Sequence, residues 1–519
     1  LSYPRIRKQS MKPYNQKRVS SISFYLSTVL LIGGVLLLVP VIIGMMYGEG
    51  QDMGKLLWAY ILPGLGTVVL CIMVRSLCST RSLSLKDSMF VCTLSWVLLT
   101  VIGGIPFVVI LDVGYLDACF ETMSGFTTTG ITMLTGLDTM PRSILFWRAL
   151  IQWLGGLGIL SMFVLIGLKG GAAANRLFMA EGHKIAAQKP TPGMFHTARI
   201  LWNMYILFTV AQIVILMILG LGFFDAMTHA FTTISTGGYS MYDRSIAQYQ
   251  WAGYAHAHLI ECTFMLFMLF GGISFFIHYR FWTGRIKSLW DNTEMRYFWG
   301  ILFGSVLLVF LSYLKSHGVS YEGAGSNVYT GSRAVLLHLK DVGFQVIAIL
   351  TTTGYATRDI GSAYFTAVAK QVFLVLMVIG GCAGSTGGGF KVVRVAILTK
   401  LIGNRIYRLN ASRLTRTPLT VDKHLVEDEE IKRISAIFFM WMLLLLVGGG
   451  ITAFFSDLTG WQSFSGMFSA LGNIGPCYIS VDQMIGLHPV VKLTYIIGML
   501  AGRLEIIPVL IIFTKRFFK

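Results

Sequence analysis

Charge is what this chain has little of. Asp, Glu, Lys and Arg make up 13% of its 519 residues, against 55% apolar, about half the charge of an ordinary soluble domain. A soluble globular protein is thereby excluded. The seven cysteines (Cys71, Cys78, Cys92, Cys119, Cys262, Cys382, Cys477) are scattered, mostly within apolar runs, with no CxxC pair. Neither a disulfide framework nor a zinc site is indicated. HExxH and GxSxG are absent, and no Asp pair sits on facing apolar segments. That leaves an intramembrane enzyme without a catalytic set. Leu1–Ser20 is basic and polar with no apolar core, so the expectation is an uncleaved start followed by a helix that stays.

What the chain does have is long apolar runs, many exceeding the ~18 residues that read as a membrane span. The fold class expected is an all-α polytopic membrane protein. The net charge of +18 and pI of 9.6 invite a nucleic-acid reading, but charge placement argues for membrane topology instead.

Polar glycine loops recur between the apolar runs. They are Thr128-Thr129-Gly130-Ile131-Thr132, Ser235-Thr236-Gly237-Gly238-Tyr239, Thr351-Thr352-Thr353-Gly354-Tyr355-Ala356 and Asn473-Ile474-Gly475-Pro476-Cys477. The glycines at 130, 237, 354 and 475 are 107, 117 and 121 residues apart, which reads as four copies of one unit. Segments 1–20 and 21–85 are a basic cytoplasmic start and two extra N-terminal helices. Repeats cover 86–170, 196–282, 294–401 and 431–519, with a basic cytoplasmic loop at 402–430. Each repeat reads as helix, short helix, glycine loop, helix. The short segments are Ala118–Thr127, Ala226–Ile234, Leu336–Leu350 and Gln462–Leu471. The closing helices are Ser143–Leu168, His258–Phe281, Tyr364–Leu401 with an interruption, and Val490–Phe513. A ten-residue helix spans about 15 Å, half of a ~30 Å hydrocarbon core. Such a helix enters without crossing, and irregular backbone at mid-depth is tolerated only where protein buries it or water reaches it. Four pseudo-symmetric helix–pore-helix–filter-loop–helix repeats around one pore are therefore expected.

With Leu1–Ser20 placed in the cytoplasm and ten spanning helices, 31 of the 42 Lys and Arg fall on the cytoplasmic side. The positive-inside bias supports that arrangement, with both termini cytoplasmic and all four loops outside. It also explains the pI without nucleic acid.

A cation crossing a membrane must exchange hydration water for other oxygens, which rings of backbone carbonyls can supply, with threonine hydroxyls adding another ring. Glycine permits the backbone angles this needs. A small hydroxyl or amide residue stands two before each glycine: Thr128, Ser235, Thr352, Asn473. No acidic side chain falls in the loops, which suits a weakly hydrated monovalent ion better than Ca²⁺. The expected ion-filter residues are Thr128, Thr129, Gly130, Ile131, Ser235, Thr236, Gly237, Gly238, Thr352, Thr353, Gly354, Tyr355, Asn473, Ile474, Gly475 and Pro476.

Six glycines crowd Gly380-Gly381-Cys382-Ala383-Gly384-Ser385-Thr386-Gly387-Gly388-Gly389, too many for an unaided helix. A phosphate loop is ruled out because Lys391 follows Phe390 and no strand precedes. A flexible kink and a mobile gate under the filter both remain; the gate is the preferred reading, with Lys391 and Arg394 near the cytoplasmic mouth. Arg503 and Glu505 are charges in the last span, each either an ion-pair partner of another helix or, for Arg503, a fixed charge near the pore axis. Glu261 is ambiguous in the same way. His256 and His258 read as a solvated outer pair.

These loops, Ala383-Gly384-Ser385-Thr386-Gly387-Gly388-Gly389-Phe390-Lys391 and the ending Gly502-Arg503-Leu504-Glu505-Ile506 resemble the Trk/Ktr/HKT superfamily of potassium transporters over nearly the whole chain. The two leading helices are similar to the bacterial Trk branch. The resemblance implies a homodimeric, K⁺-translocating subunit of the inner membrane, one pore per subunit, with no covalent cofactor. It also implies a cytosolic ring of RCK-type nucleotide-binding regulatory subunits, for which Lys400–Arg433 is either a docking surface or simple inside-positive anchoring. Under it the filter glycines match Gly130, Gly237, Gly354 and Gly475, the gate matches Gly380–Gly389, and the pore arginine matches Arg503. The serine that accompanies Na⁺ selectivity in part of the plant branch is absent from the first loop. Pro476 and Cys477 depart from the filter pattern. H⁺- or Na⁺-coupled symport and weakly selective conduction remain open alternatives. A solute transporter with discontinuous helices fits a fourfold repeat poorly.

Overall fold

The computed structural model describes residues 11–78, 83–158, 194–318, 320–322, 328–410, 417–422 and 424–511. The first ten residues, the second half of the expected helix Ser143–Leu168, the segment after it that was expected to be cytoplasmic, part of the 402–430 loop and 512–519 lie outside the described residues.

Two helices lead. Met11–Leu36 runs on as Val39–Met46, and Met53–Leu77 returns alongside it. Both precede the repeats and pack on one another and on the first helix of repeat one. Each repeat then opens with an outer helix: Leu85–Gly103 continued by Ile105–Leu111, Met194–Ile218, Thr293–His317 and Asp428–Phe454. Their starts are capped by local chemistry. Ser84 accepts from Asp87 N at 3.1 Å and Asn292 from Met295 N at 2.7 Å, satisfying amides that have no partner in the first turn. The acidic run ending the basic loop becomes the first turn of the fourth outer helix, with Asp428, Glu429 and Glu430 at its positive end.

A lead-in helix follows in each repeat: Tyr115–Phe126, Phe223–Ile234, Gly331–Leu350 and Gly460–Gly472. At ~1.5 Å per residue the 12- and 13-residue members reach about 18–20 Å, short of a crossing. The third differs from expectation. It has 20 residues and begins at Gly331, not at Leu336. Its middle carries a polar cluster: Asp341 accepts from Tyr321 and Arg358 at 3.0 Å each, and Lys340 bonds Glu261. Tyr321 lies in a hairpin, Ser320–Glu322 against Val328–Thr330, that covers this extension. Together with Thr420–Val421 against His424–Leu425, it makes up the strands among the described residues.

The return helices hold the main correction to the expected topology. The second, Ala257–Gly272, turns by 102° into Phe275–Trp282. The third stops at Ile379 and resumes at Val392. The fourth stops at Arg503 and resumes at Ile507, with Glu505 and Ile506 at φ of 61° and 64°. The first is described as Arg142–Gly156. An interruption was expected in the third alone. Among the described residues six unbroken helices are long and apolar enough to cross a membrane, or seven if the bent pair counts once; the broken or partly described return helices are not in that count. The long helices expose Leu307, Leu308, Leu311, Leu443 and Leu446, an apolar belt that water would not tolerate over this extent. The innermost core is formed by the lead-in helix ends and their loops. Phe120 to Thr129, Thr232 to Gly237 and Asp341 to Thr353 are continuously buried.

Candidate functional site

The four loops meet. A Cβ added to Gly130 would overlap the carbonyl oxygen of Gly237, one on Gly238 that of Thr353, and one on Gly354 that of Ile474. One on Gly475 would stand 3.0 Å from that of Thr129. Loop one thus touches loop two, two touches three, three touches four, and four touches one. The ring closes, and at each joint a glycine lies against the carbonyl of the residue before its neighbour's glycine. No side chain fits there, which is why these positions are glycine.

The geometry corrects the register of loop two. Thr128, Thr236, Thr352 and Asn473 all take left-handed backbone, φ between 53° and 59°. Two residues later Gly130, Gly238, Gly354 and Gly475 also have positive φ, from 73° to 107°. Gly238, rather than Gly237, is therefore the counterpart of Gly354, and Thr236, rather than Ser235, that of Thr352. Gly237 stands where the other loops have Thr129, Thr353 and Ile474. Left-handed threonine is a rare and strained choice, costing on the order of 1–3 kcal/mol each, and its repetition marks a position held for a purpose. Gly130, Gly238 and Gly354 keep partial exposure between buried neighbours.

Tyrosines brace the ring. Tyr355 shares a 2.5 Å hydrogen bond with Thr232 and donates to the carbonyl of His229 at 3.2 Å. Tyr239, in the matching position of loop two, donates to the carbonyl of Glu121 at 2.8 Å. Each loop is thereby tied to the lead-in helix of the repeat before it. Ile131 and Pro476 occupy this position in loops one and four, and the Pro476 ring packs on Gly354. Tyr239 escaped the sequence reading because the register was one residue short.

A buried ion pair sits behind loops one and two. Arg148 donates to Glu121 at 2.9 Å, to the Ser240 carbonyl at 3.0 Å, and lies 4.1 Å from the Tyr239 ring centre. Glu121 also accepts from Met133 N at 2.8 Å. Neither residue was singled out in the sequence, since only the fold brings the lead-in helix and the return helix of this repeat together.

The glycine segment Gly380–Gly389 passes beneath the ring and touches the base of the second, third and fourth lead-in helices or their loops. Thr386 Oγ1 donates to Ile234 O at 2.9 Å, Gly388 N donates to Thr352 Oγ1 at 2.7 Å, and Gly388 abuts Gly472 and Asn473. The first repeat is reached through Arg503, which donates to Thr386 O at 2.7 Å and to Thr128 Oγ1 at 3.3 Å. Arg503 also bonds the carbonyls of Gly155 and Gly156. Gly380, Gly384 and Gly389 have positive φ, as a segment folded back on itself requires. Cys382 N and Thr386 N anchor it to Gly272 O and Gly271 O at 2.9 and 3.2 Å. Gly381 and Ser385 pack inside the loop, Ala383 N donates to Glu294 at 2.6 Å, and Lys391 bonds the Gly387 carbonyl.

The other singled-out charges separate. Glu505 pairs with Arg394 at 2.6 Å, and Glu261 is buried with Lys340 and Gln250. His258 is exposed, 3.8 Å from Glu261. Among the described residues no group of three His, Cys, Asp or Glu is placed to hold a metal ion.

Residues 65–518 match the family model described as TrkH, cation transport protein. The Trk system potassium uptake protein TrkH of Escherichia coli is 32% identical over 439 residues, covering 84% of this chain and 86% of that protein. Its Salmonella typhimurium namesake is 30% identical across 95% of this chain and 97% of its own length. The crystal structure of the potassium transporter TrkH from Vibrio parahaemolyticus superposes with a TM-score of 0.79 at 28% identity, over 97% of this chain and 100% of that one. With the repeats, the glycine ring and the loop beneath it all in place, this chain belongs to the TrkH family of cation transport proteins, membrane transporters rather than enzymes.

Proposed function

We propose that the chain takes up potassium through the ring of glycine loops, and that the segment Gly380–Gly389 gates the path. The observation that carries this is the closed ring. Four loops from one chain bring four equivalent carbonyls, those of Thr129, Gly237, Thr353 and Ile474, to the same register. Neutral carbonyl rings substitute for the hydration shell of a weakly hydrated monovalent cation. The filter is then Thr128–Ile131, Thr236–Tyr239, Thr352–Tyr355 and Asn473–Pro476. The relatives named above are potassium uptake proteins, which supports K⁺ as the ion.

The loop under the ring bonds or abuts repeats two, three and four directly and is joined to the first through Arg503, which places a positive charge at the inner end. The family resemblance supports a homodimer in the bacterial inner membrane with cytoplasmic termini. It also supports control by a cytosolic nucleotide-binding subunit; the basic segment from Lys400 offers it a surface. Rubidium uptake by cells lacking their own potassium systems, with sodium as competitor, tests the reading. Selective, saturable uptake is expected, and loss of it in Gly354→Asp with the protein still inserted. Uptake and selectivity unchanged in that variant would remove the filter.

A further inference from the structure

The gate loop is held from the cytoplasmic side by a residue that nothing above has put to use. Glu294 is 1% exposed in the first turn of the third outer helix, and its carboxylate accepts the Ala383 amide at 2.6 Å. This is a buried hydrogen bond to the loop itself. The preceding residue, Thr293, is held by a different element. Asp422, at the exposed turn of the hairpin Thr420–Leu425, accepts from Thr293 N at 2.7 Å and from Thr293 Oγ1 at 2.8 Å.

The same hairpin is bound to the helix that leaves the gate loop. Lys400 reaches the Thr420 carbonyl at 3.2 Å, Asn404 the Thr417 carbonyl at 2.9 Å, and Arg408 the Thr417 hydroxyl at 2.6 Å. The chain therefore closes a circuit: gate loop, exit helix, hairpin, Asp422, Thr293, Glu294, gate loop.

We propose that Glu294 is a positioning residue for the gate, and that the Asp422 turn latches it from the cytoplasm. The reasoning rests on the gate reading above. Helix starts fray unless their free amides are satisfied, and Asp422 satisfies that of Thr293. When the hairpin is displaced, the first turn loses that anchor, and Glu294, one residue on, loses its fixed aim at Ala383. The loop beneath the ring is then released at its Ala383 end. A cytoplasmic partner seated on the exposed hairpin would thus act on the gate without entering the membrane. A carboxylate serving only the helix dipole would need neither the Ala383 contact nor the hairpin.

Rubidium flux into proteoliposomes of the purified full chain, with no added partner, tests this, with rubidium-over-sodium preference measured in parallel. Glu294→Ala should raise basal flux roughly tenfold, the size of effect from leaving one buried amide without its acceptor. Glu294→Gln, which keeps the acceptor, should stay near wild type. Asp422→Ala lies in an exposed turn and should raise flux a few-fold, adding nothing to Glu294→Ala in the double variant. Ion preference should not move in any of them. Wild-type flux in Asp422→Ala and Glu294→Ala, alongside altered flux when Gly384–Gly389 is shortened, would overturn the latch and leave the gate. No change in any of the three would overturn both, and a shifted ion preference in Glu294→Ala would also overturn the latch.

Discussion

Arg503 donates to the carbonyl of Thr386 at 2.7 Å while the same nitrogen reaches the Thr128 hydroxyl at 3.3 Å. One guanidinium thus joins the loop beneath the ring to the base of the first glycine loop. It also bonds the carbonyls that end the first return helix.

Replacing Arg503 by Gln removes the positive charge and most of the fork. Hydrogen bonds to a charged donor contribute about 1.5–3 kcal/mol, so basal rubidium flux should rise tenfold or more. Arg503→Lys keeps the charge without the fork geometry and should fall between. Flux measured in proteoliposomes decides; a gain in Lys equal to that in Gln would assign the effect to geometry alone.

The register of loop two gives a second expectation. A methyl on Gly238 meets the Thr353 carbonyl and is strained by φ of 73°. A methyl on Gly237 meets first the side chain of Gln152, not backbone, and Gly237 has no positive φ. Gly238→Ala should abolish selective uptake, and Gly237→Ala should reduce it less. Uptake rates and sodium competition in the two variants test this; the opposite order would restore Gly237 as the filter glycine.

Breaking the pair Arg148–Glu121 should cost stability. Removing one partner of a fully buried pair costs about 3–5 kcal/mol, because the other charge is left without compensation. Arg148→Met should lower the Tm in detergent, and the double variant Arg148→Met with Glu121→Leu should recover part of the loss. A Tm unchanged in the single variant would mean the pair is not held as described.

Tyr355→Phe deletes the hydroxyl that braces loop three on the second lead-in helix. A net hydrogen bond contributes about 1 kcal/mol, so the expected outcome is a few-fold loss of rubidium-over-sodium preference with insertion intact. Tyr239→Phe should behave alike. Competition curves measure both.

The repeats were legible because glycine-bearing polar loops cannot hide in long apolar sequence, and because a ten-residue helix cannot cross. The break between Ile379 and Val392 was legible for a similar reason: Gly380–Gly389 is too rich in glycine to be helix. Where two glycines adjoin, at Gly237-Gly238, composition could not choose between them; the positive φ of Thr236 and Gly238 does. The long third lead-in helix was cut short at Leu336 because Arg333 and its neighbours are polar, and only the covering hairpin accounts for them. The break after Arg503 gave no signal, since Leu504 to Ile506 are ordinary helix formers or β-branched. It is fixed by Glu505 turning to meet Arg394. Arg148, Glu121 and Glu294 were invisible because their partners lie 27 and 89 residues away in the chain.

The most direct measurement is the position of a heavy monovalent cation in the folded protein. Crystals or frozen particles prepared in thallium or rubidium should show density on the axis between the four loops. It should lie level with the carbonyls of Thr129, Gly237, Thr353 and Ile474 and above Arg503. Density that lies elsewhere while the ring stays empty would contradict the account.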